Sequence, residues 1–326
     1  MRRIFLLYIV LALFLVSCAE NEPIERDIFA MDTMMSIRIW GSDDTLNNTC
    51  DIIRNLDELL DAQDEQSEIY RLNQDGVLSA HNDVIEILRL AISYCEKTNG
   101  CFDPTVYPAV LSWKEAESAP PSAEELQAFL PLIGIENISA NGSNITLKDG
   151  TMLDFGAIAK GYAAQKCIDY LKNNNVESAI ISLGGNVQTL GSKPDGSKWA
   201  VGIADPSNPS KSIAIVKFEG SMALVTSGSY QRYYELDGVK YHHILDPKTL
   251  YPAENELASV TILALNGTMA DAYSTALFVM GLDKAVEFWK SQSDFDAVFI
   301  LKDGSIFATQ GAAPLLSGCN FTEIKR

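Results

Sequence analysis

Asp154-Phe155-Gly156-Ala157-Ile158-Ala159-Lys160-Gly161-Tyr162-Ala163 is the stretch from which the fold of this chain can be read. It passes from an extended approach into small residues with helical spacing that continue to Leu171, and the two halves of the chain differ on either side of it. Upstream, the periodicity is mainly helical. One helix is predicted over residues 45–60, with Leu46, Ile52, Ile53, Leu56 and Leu59 or Leu60 on one face. A second carries Val84, Ile85, Ile87, Leu88, Ala91, Ile92 and Cys95 and stops at Asn99-Gly100. Ser122 and Glu125 fit a capping box for a short third helix. Alternation over residues 33–40 predicts a strand. From residue 137 onward short strands dominate, with Asn141-Gly142, Asp149-Gly150, Asp237-Gly238 and Asp303-Gly304 expected as hairpin turns. Helices are expected at 268–280 and 283–290. Strands and helices in blocks, without strict βαβ alternation, give an α+β class.

The composition fits one large domain or two intimate lobes. Of 326 residues, 47% are hydrophobic and 21% charged, which excludes a disordered chain. The net charge of −18 leaves no basic footprint for phosphate contacts, so nucleic-acid binding is excluded. The same charge would repel an anionic substrate, which needs a metal or a local cation to be held.

The N-terminus reads as an address. Arg2 and Arg3 precede an apolar run from Ile4 to Val16, whose 13 residues fall short of the roughly 20 of a membrane-spanning helix. Leu15-Val16-Ser17-Cys18 resembles a bacterial lipobox, in which Cys18 is lipidated after removal of residues 1–17. Losing two arginines takes the charge from −18 to −20. Residues 18–27 are then expected to be a lipidated tether and residues 28–326 the domain, anchored on the extracytoplasmic side of a bacterial membrane. Cys50, Cys95, Cys101, Cys167 and Cys319 remain, an odd number without C-x-x-C spacing. They read best as small buried hydrophobes, with neither a disulfide framework nor a zinc site.

Phosphate-loop, zinc-helix, nucleophile-elbow and dinucleotide fingerprints are all absent. With only His81, His242 and His243 available, any metal should be a hard cation on oxygen ligands. Four segments and one helix place polar residues where a plain core would not. Asp103-Pro104 in Gly100–Val106 suits a helix-opening turn. In the 154–163 stretch, helix-start N–H groups and Lys160 suit a phosphate; a capping Asp154 and a snorkelling Lys160 suit it equally. Ser182-Leu183-Gly184-Gly185-Asn186 reads as a tight turn or a close backbone approach to a ligand. Thr226–Tyr230 and Tyr241–Pro247 hold both downstream histidines, which strand alternation sends to opposite faces. Asp271 and Thr275, four apart on the 268–280 helix, present a carboxylate and a hydroxyl together and can ligate Mg²⁺.

Taken in order, these segments resemble the ApbE-type FAD:protein FMN transferase family, from Met31-Asp32-Thr33 to Gly281. The resemblance includes Ser67, Leu72-Asn73, Phe102-Asp103-Pro104-Thr105, Asp154–Tyr162, Leu183–Asn186, Thr226-Ser227-Gly228, His243–Pro247, Asp271 and Thr275. It implies a T-fold-like arrangement of mixed and antiparallel sheets with packed helices. It also implies cleavage of FAD at its pyrophosphate, with FMN passing to a Thr or Ser hydroxyl of a partner protein, of the membrane redox subunit type, and AMP leaving. By the same resemblance Met31, Gln63, Cys101, Phe102, Asp103, Asp154, Lys160 and Leu245 line the FAD site, and Mg²⁺ is held by Asp271, Thr275 and the Ala157 carbonyl. His243 is the catalytic histidine. The chain departs from the family pattern at Gln63, against the adenine; at Gln165, in place of an acid; at Leu250, in place of Gly; and at Asp32, in place of Gly. Two rivals to transfer are hydrolysis of FAD to FMN and AMP, and a flavin- or solute-binding lipoprotein without turnover.

Overall fold

The computed structural model describes residues 22–116 and 119–326. The first half contains β1 (Ile24–Ala30), β2 (Thr33–Ile39), α1 (Asp43–Leu60), α2 (Glu68–Asp75), β3 (Val77–Ser79), α3 (Asn82–Lys97), α4 (Tyr107–Glu115), α5 (Ala123–Phe129), β4 (Ile138–Asn141), β5 (Asn144–Leu147) and α6 (Ala159–Asn173). The second contains β6 (Ala179–Leu183), β7 (Asn186–Leu190), β8 (Trp199–Asp205), β9 (Asn208–Phe218), β10 (Met222–Gly228), β11 (Tyr233–Leu236), β12 (Val239–His242), β13 (Leu257–Ala264), α7 (Gly267–Met280), α8 (Leu282–Ser291), β14 (Phe295–Leu301), β15 (Ile306–Thr309), β16 (Leu316–Ser317) and β17 (Thr322–Ile324).

A nine-stranded sheet, ordered β1-β2-β6-β7-β10-β13-β14-β15-β17, organises the molecule; only its β15–β17 pair is parallel. Strand alternation decides which side chains go to which face. From β2, Met35, Ile37 and Ile39 are buried against the helices, where they meet Leu46, Ile53 and Leu56 of α1, Leu88 of α3 and Tyr273 of α7. On the opposite face a second core joins Trp199, Val216 and Phe218 of the β16-β9-β8 sheet to Leu224, Leu263 and Val298 of the large one. The fold is mixed α+β, as the block pattern predicts.

Several local expectations change. Ile24–Asp27, expected within the tether, pairs with β2 in register Ile24↔Ile39, because alternating side chains from Ile24 onward suit a sheet edge. Cys18 and the signal segment lie outside the described residues. The sequence reading omits α2 and α4, the first a two-turn helix opened by Ser67, the second carrying Pro108 in its first turn. Asp149-Gly150 is not a hairpin turn; it releases the chain from β5 into an extended strap that ends in α6. The cysteines described are free: Cys50, Cys95 and Cys167 are buried, and Cys101 and Cys319 half-buried. No helix among the described residues is long and apolar enough to cross a membrane.

Candidate active site

The centre of the site is the crossing of α6 and α7. Gly161 is the third residue of α6, so its N–H precedes the first bond of the helical ladder, Tyr162 N–H to the Ile158 carbonyl. This otherwise unpaired N–H donates to Asp271 Oδ2 at 2.7 Å, and the Ala157 carbonyl lies just ahead of the cap, outside the ladder. Only glycine permits the approach: a Cβ on Gly161 would lie 2.3 Å from the Gly267 carbonyl oxygen and 2.5 Å from Asp271 Cβ. Asp271 and Thr275 share a face of α7, as their spacing predicts. Thr275 Oγ1 lies 3.1 Å from Ser227 Oγ, which also meets Ser274 Oγ at 2.8 Å. Asp271 is 5% exposed, and burial pushes its carboxyl above the usual carboxylate range against the pull of Lys160 and the Gly161 N–H. The buried Asp271 carboxylate, the Ala157 carbonyl and the Thr275 hydroxyl are hard oxygen donors, a set whose chemistry fits Mg²⁺.

The strap holding Asp154 is fixed from both sides. Asn73 of α2 grips the Leu153 backbone twice, through Leu153 N–H to Oδ1 at 2.7 Å and Nδ2 to the carbonyl at 2.9 Å. The Asp154 N–H donates to the Pro104 carbonyl. Asp154 is not the helix cap. Its Oδ2 accepts from Gly156 N at 3.1 Å, while the cap position is Ile158, without a side-chain bond. The Gly156 N–H offered to a phosphate by the sequence reading is thereby engaged. Burial raises the Asp154 carboxyl, and Lys160 and Arg232 pull it down. Lys160 Nζ donates to the Gly156 carbonyl at 3.1 Å, so its charge stands over the start of α6.

Other residues expected at the flavin site divide into two groups. Asp103 Oδ1 accepts from Thr105 N and Oγ1, and Oδ2 accepts from Cys95 Sγ; its carboxylate forms the turn before α4. Phe102 is 3% exposed and packs into the main core, so its side chain supports the turn without lining a cleft. Leu245 is likewise buried, against Trp113 and Leu250. Cys101, next to Phe102 in sequence, is half-buried and within electrostatic range of Lys248 and Asp246. Gln63 caps the Asp61 turn with its N–H, and its Oε1 accepts from Lys114 Nζ. Met31 sits in the β1–β2 turn with φ 47°, followed by Asp32 at φ 57°, and its N–H donates to Asp57 Oδ1 at 3.0 Å.

The two histidines do separate. His242 Nε2 contacts the Ala253 carbonyl and its ring packs edge-on against Phe278, a structural position. His243 Nδ1 lies 2.9 Å from the Arg232 carbonyl. A carbonyl only accepts, so Nδ1 carries the proton and Nε2 keeps its lone pair. Burial depresses His243 to about 4, with Lys160 and Arg232 adding to the effect, so the ring is neutral near pH 7. Arg232, absent from the sequence reading, ties this region together: its carbonyl orients His243, and its Nη2 donates to the Asp32 carbonyl at 3.2 Å. An arginine just after Thr226–Tyr230 in so acidic a chain was the available signal. Asn73 was visible only as part of the family resemblance.

The fold thus brings Asp271 and Thr275 of α7 to the start of α6, where Lys160 stands, and His243 lies within electrostatic range of that lysine. The sequence profile of the ApbE family matches residues 31–299, and the chain belongs to that family. It is 31% identical over 324 residues to the FAD:protein FMN transferase of Treponema pallidum, covering 90% of this chain and 88% of the relative. It is 29% identical to one from Klebsiella pneumoniae, over 88% and 92% of the two chains. The crystal structure of the ApbE protein from Thermotoga maritima superposes with a TM-score of 0.83 at 30% identity, covering 90% of this chain and 99% of that one. The apo flavinyl transferase ApbE of Pseudomonas stutzeri gives 0.80 at 28% identity, over 92% and 98%.

Proposed function

We propose that this chain transfers FMN from FAD to a Thr or Ser hydroxyl of a partner protein, with Mg²⁺ as cofactor and AMP as the other product. The observation that carries the reading is the Gly161–Asp271 bond. It holds the Asp271 carboxylate against the first turn of α6, just ahead of which comes the Ala157 carbonyl, with Thr275 one turn along α7 and Lys160 at the same helix start. Asp271, Thr275 and the Ala157 carbonyl would hold Mg²⁺, which supplies charge neutralisation at the FAD diphosphate. Lys160 adds a fixed positive charge at this helix start, against a net charge of −18 for the chain.

The acceptor hydroxyl attacks the FMN-side phosphorus. The new P–O ester forms as the anhydride P–O bond to AMP breaks, and AMP leaves carrying that oxygen. The hydroxyl proton passes to His243 Nε2, the nitrogen left unprotonated by the Arg232 carbonyl. With water in place of the hydroxyl, the same arrangement yields FMN and AMP.

Lipidation at Cys18 would place this activity at the outer side of a bacterial membrane. Because β1 begins at Ile24, five residues separate it from Cys18, a reach of about 17 Å when extended. The domain would then work close to the lipid surface, where a membrane-borne acceptor is within range. Incubating the mature protein with FAD, Mg²⁺ and a candidate acceptor tests the reading by mass spectrometry. An FMN-modified acceptor with equimolar AMP supports transfer. AMP with free FMN identifies hydrolysis, and intact bound FAD a carrier; either contradicts transfer.

A further inference from the structure

Asn186, the first residue of β7, is 0% exposed, yet neither Oδ1 nor Nδ2 finds a partner among the described residues. An amide buried this way is costly unless something completes its hydrogen bonds. Asn186 is paired on both sides, with Leu183 of β6 and Val225 of β10, so its backbone is held in place.

Its position follows from three fixed levels. Gln188, two residues on and facing the same way, donates to Gln165 of α6 at 2.9 Å. Gln165 in turn accepts the Gly267 N–H at the start of α7. At the other end, Ser227 of β10 meets Ser274 and Thr275. The register Ala223↔Gln188 and Val225↔Asn186 puts Asn186 between these levels. Two strand residues climb about 6.6 Å and four helical residues about 6 Å, so moving from Gln188 to Asn186 matches moving from Gly267 to Asp271. The orphaned amide lies at the level of the Gly161–Asp271 bond, on the face of the sheet that α6 and α7 cover.

We infer that Asn186 is a positioning residue for the divalent cation, an assignment that rests on the metal reading above. Water bound to Mg²⁺ would donate hydrogen bonds and need acceptors, and Asn186 Oδ1 would supply one. The amide oxygen is left unpaired without the cation and satisfied with it.

The test is Mn²⁺ binding to the mature protein without FAD, followed by electron paramagnetic resonance. Asn186→Leu, close in size and without polar atoms, should weaken Mn²⁺ binding 10- to 100-fold. It should also raise the Tm of the metal-free protein, because a buried unpaired amide is gone. Asn186→Ala should lose affinity similarly and serves if leucine fails to pack; Asp271→Ala marks complete loss. Wild-type affinity in either folded variant overturns the assignment while leaving the metal site intact. Absence of binding in the wild type itself overturns the metal reading, and the assignment with it.

Discussion

The backbone N–H of Gly161 and the carboxylate of Asp271 are joined at 2.7 Å across two helices that are distant in sequence. The bond requires bare backbone at 161, since the atoms a Cβ would strike are the Gly267 carbonyl and Asp271 Cβ, neither free to move. Gly161→Ala should therefore force α6 and α7 apart, lowering stability by about 1–3 kcal/mol in urea melts and reducing Mg²⁺-dependent turnover. Unchanged stability would show that the helices can separate without cost.

Asp271→Asn keeps an oxygen that can accept from Gly161 while removing the charge. Burial already disfavours that charge, so the metal-free variant should melt at or above the wild-type temperature. Saturating Mg²⁺ should stabilise the wild type by about 2.7 kcal/mol at 100 times its Kd, and leave the variant unmoved. A variant still stabilised by Mg²⁺ would place the ion elsewhere.

His243 gives a pH prediction. Its folded pKa, about 4, lies below its ordinary value of 6.5, so the folded state binds fewer protons than the unfolded chain between the two. Its contribution to stability is intact above about pH 6.5 and is lost as pH falls toward 4. The base form likewise persists through pH 6, so the acid limb of kcat/KM should fall near pH 4–5. His243→Gln should leave FAD binding in place, abolish that limb and cut transfer by about 10²–10⁴-fold. An acid limb centred at 6.5 would contradict the depressed titration of the ring.

How much of this was legible in the sequence can be judged residue by residue. Periodicity carried α1, α3 and the α+β class, because a buried helical face writes its apolar residues at regular spacing. Asp271 and Thr275 were visible for the same reason. What could not be read is what long-range contact decides. Asp103 and Asp154 share an Asp-turn signature, but only packing shows the first saturated by Thr105 and Cys95 while the second stays near Lys160. The Gly161–Asp271 bond and the Arg232 carbonyl behind His243 depend on partners 110 and 11 residues away.

Leu250, which by the resemblance takes the place of a glycine, sits in a backbone conformation that favours glycine. Its φ is 60°, in the left-handed region, while the side chain is fully buried against Trp113, whose Nε1 donates to the Leu250 carbonyl at 2.8 Å. Leu250→Ala loses the packing and keeps the strain, at about 2–5 kcal/mol. Leu250→Gly loses the same packing but recovers about 1–2 kcal/mol of strain. The glycine variant should thus be the more stable of the two in thermal melts, inverting the usual order; the usual order would mean the left-handed conformation is not retained.

The account depends on oxygen donors at the α6–α7 crossing drawing a flavin dinucleotide's diphosphate into an acidic protein. A crystal soaked with FAD and Mn²⁺, measured at the manganese edge, tests this most directly. The expected result is one anomalous peak bonded to Asp271, Thr275 and the Ala157 carbonyl, with diphosphate oxygens in its shell and Lys160 alongside. A diphosphate bound away from that crossing, with no ion on Asp271, would contradict it.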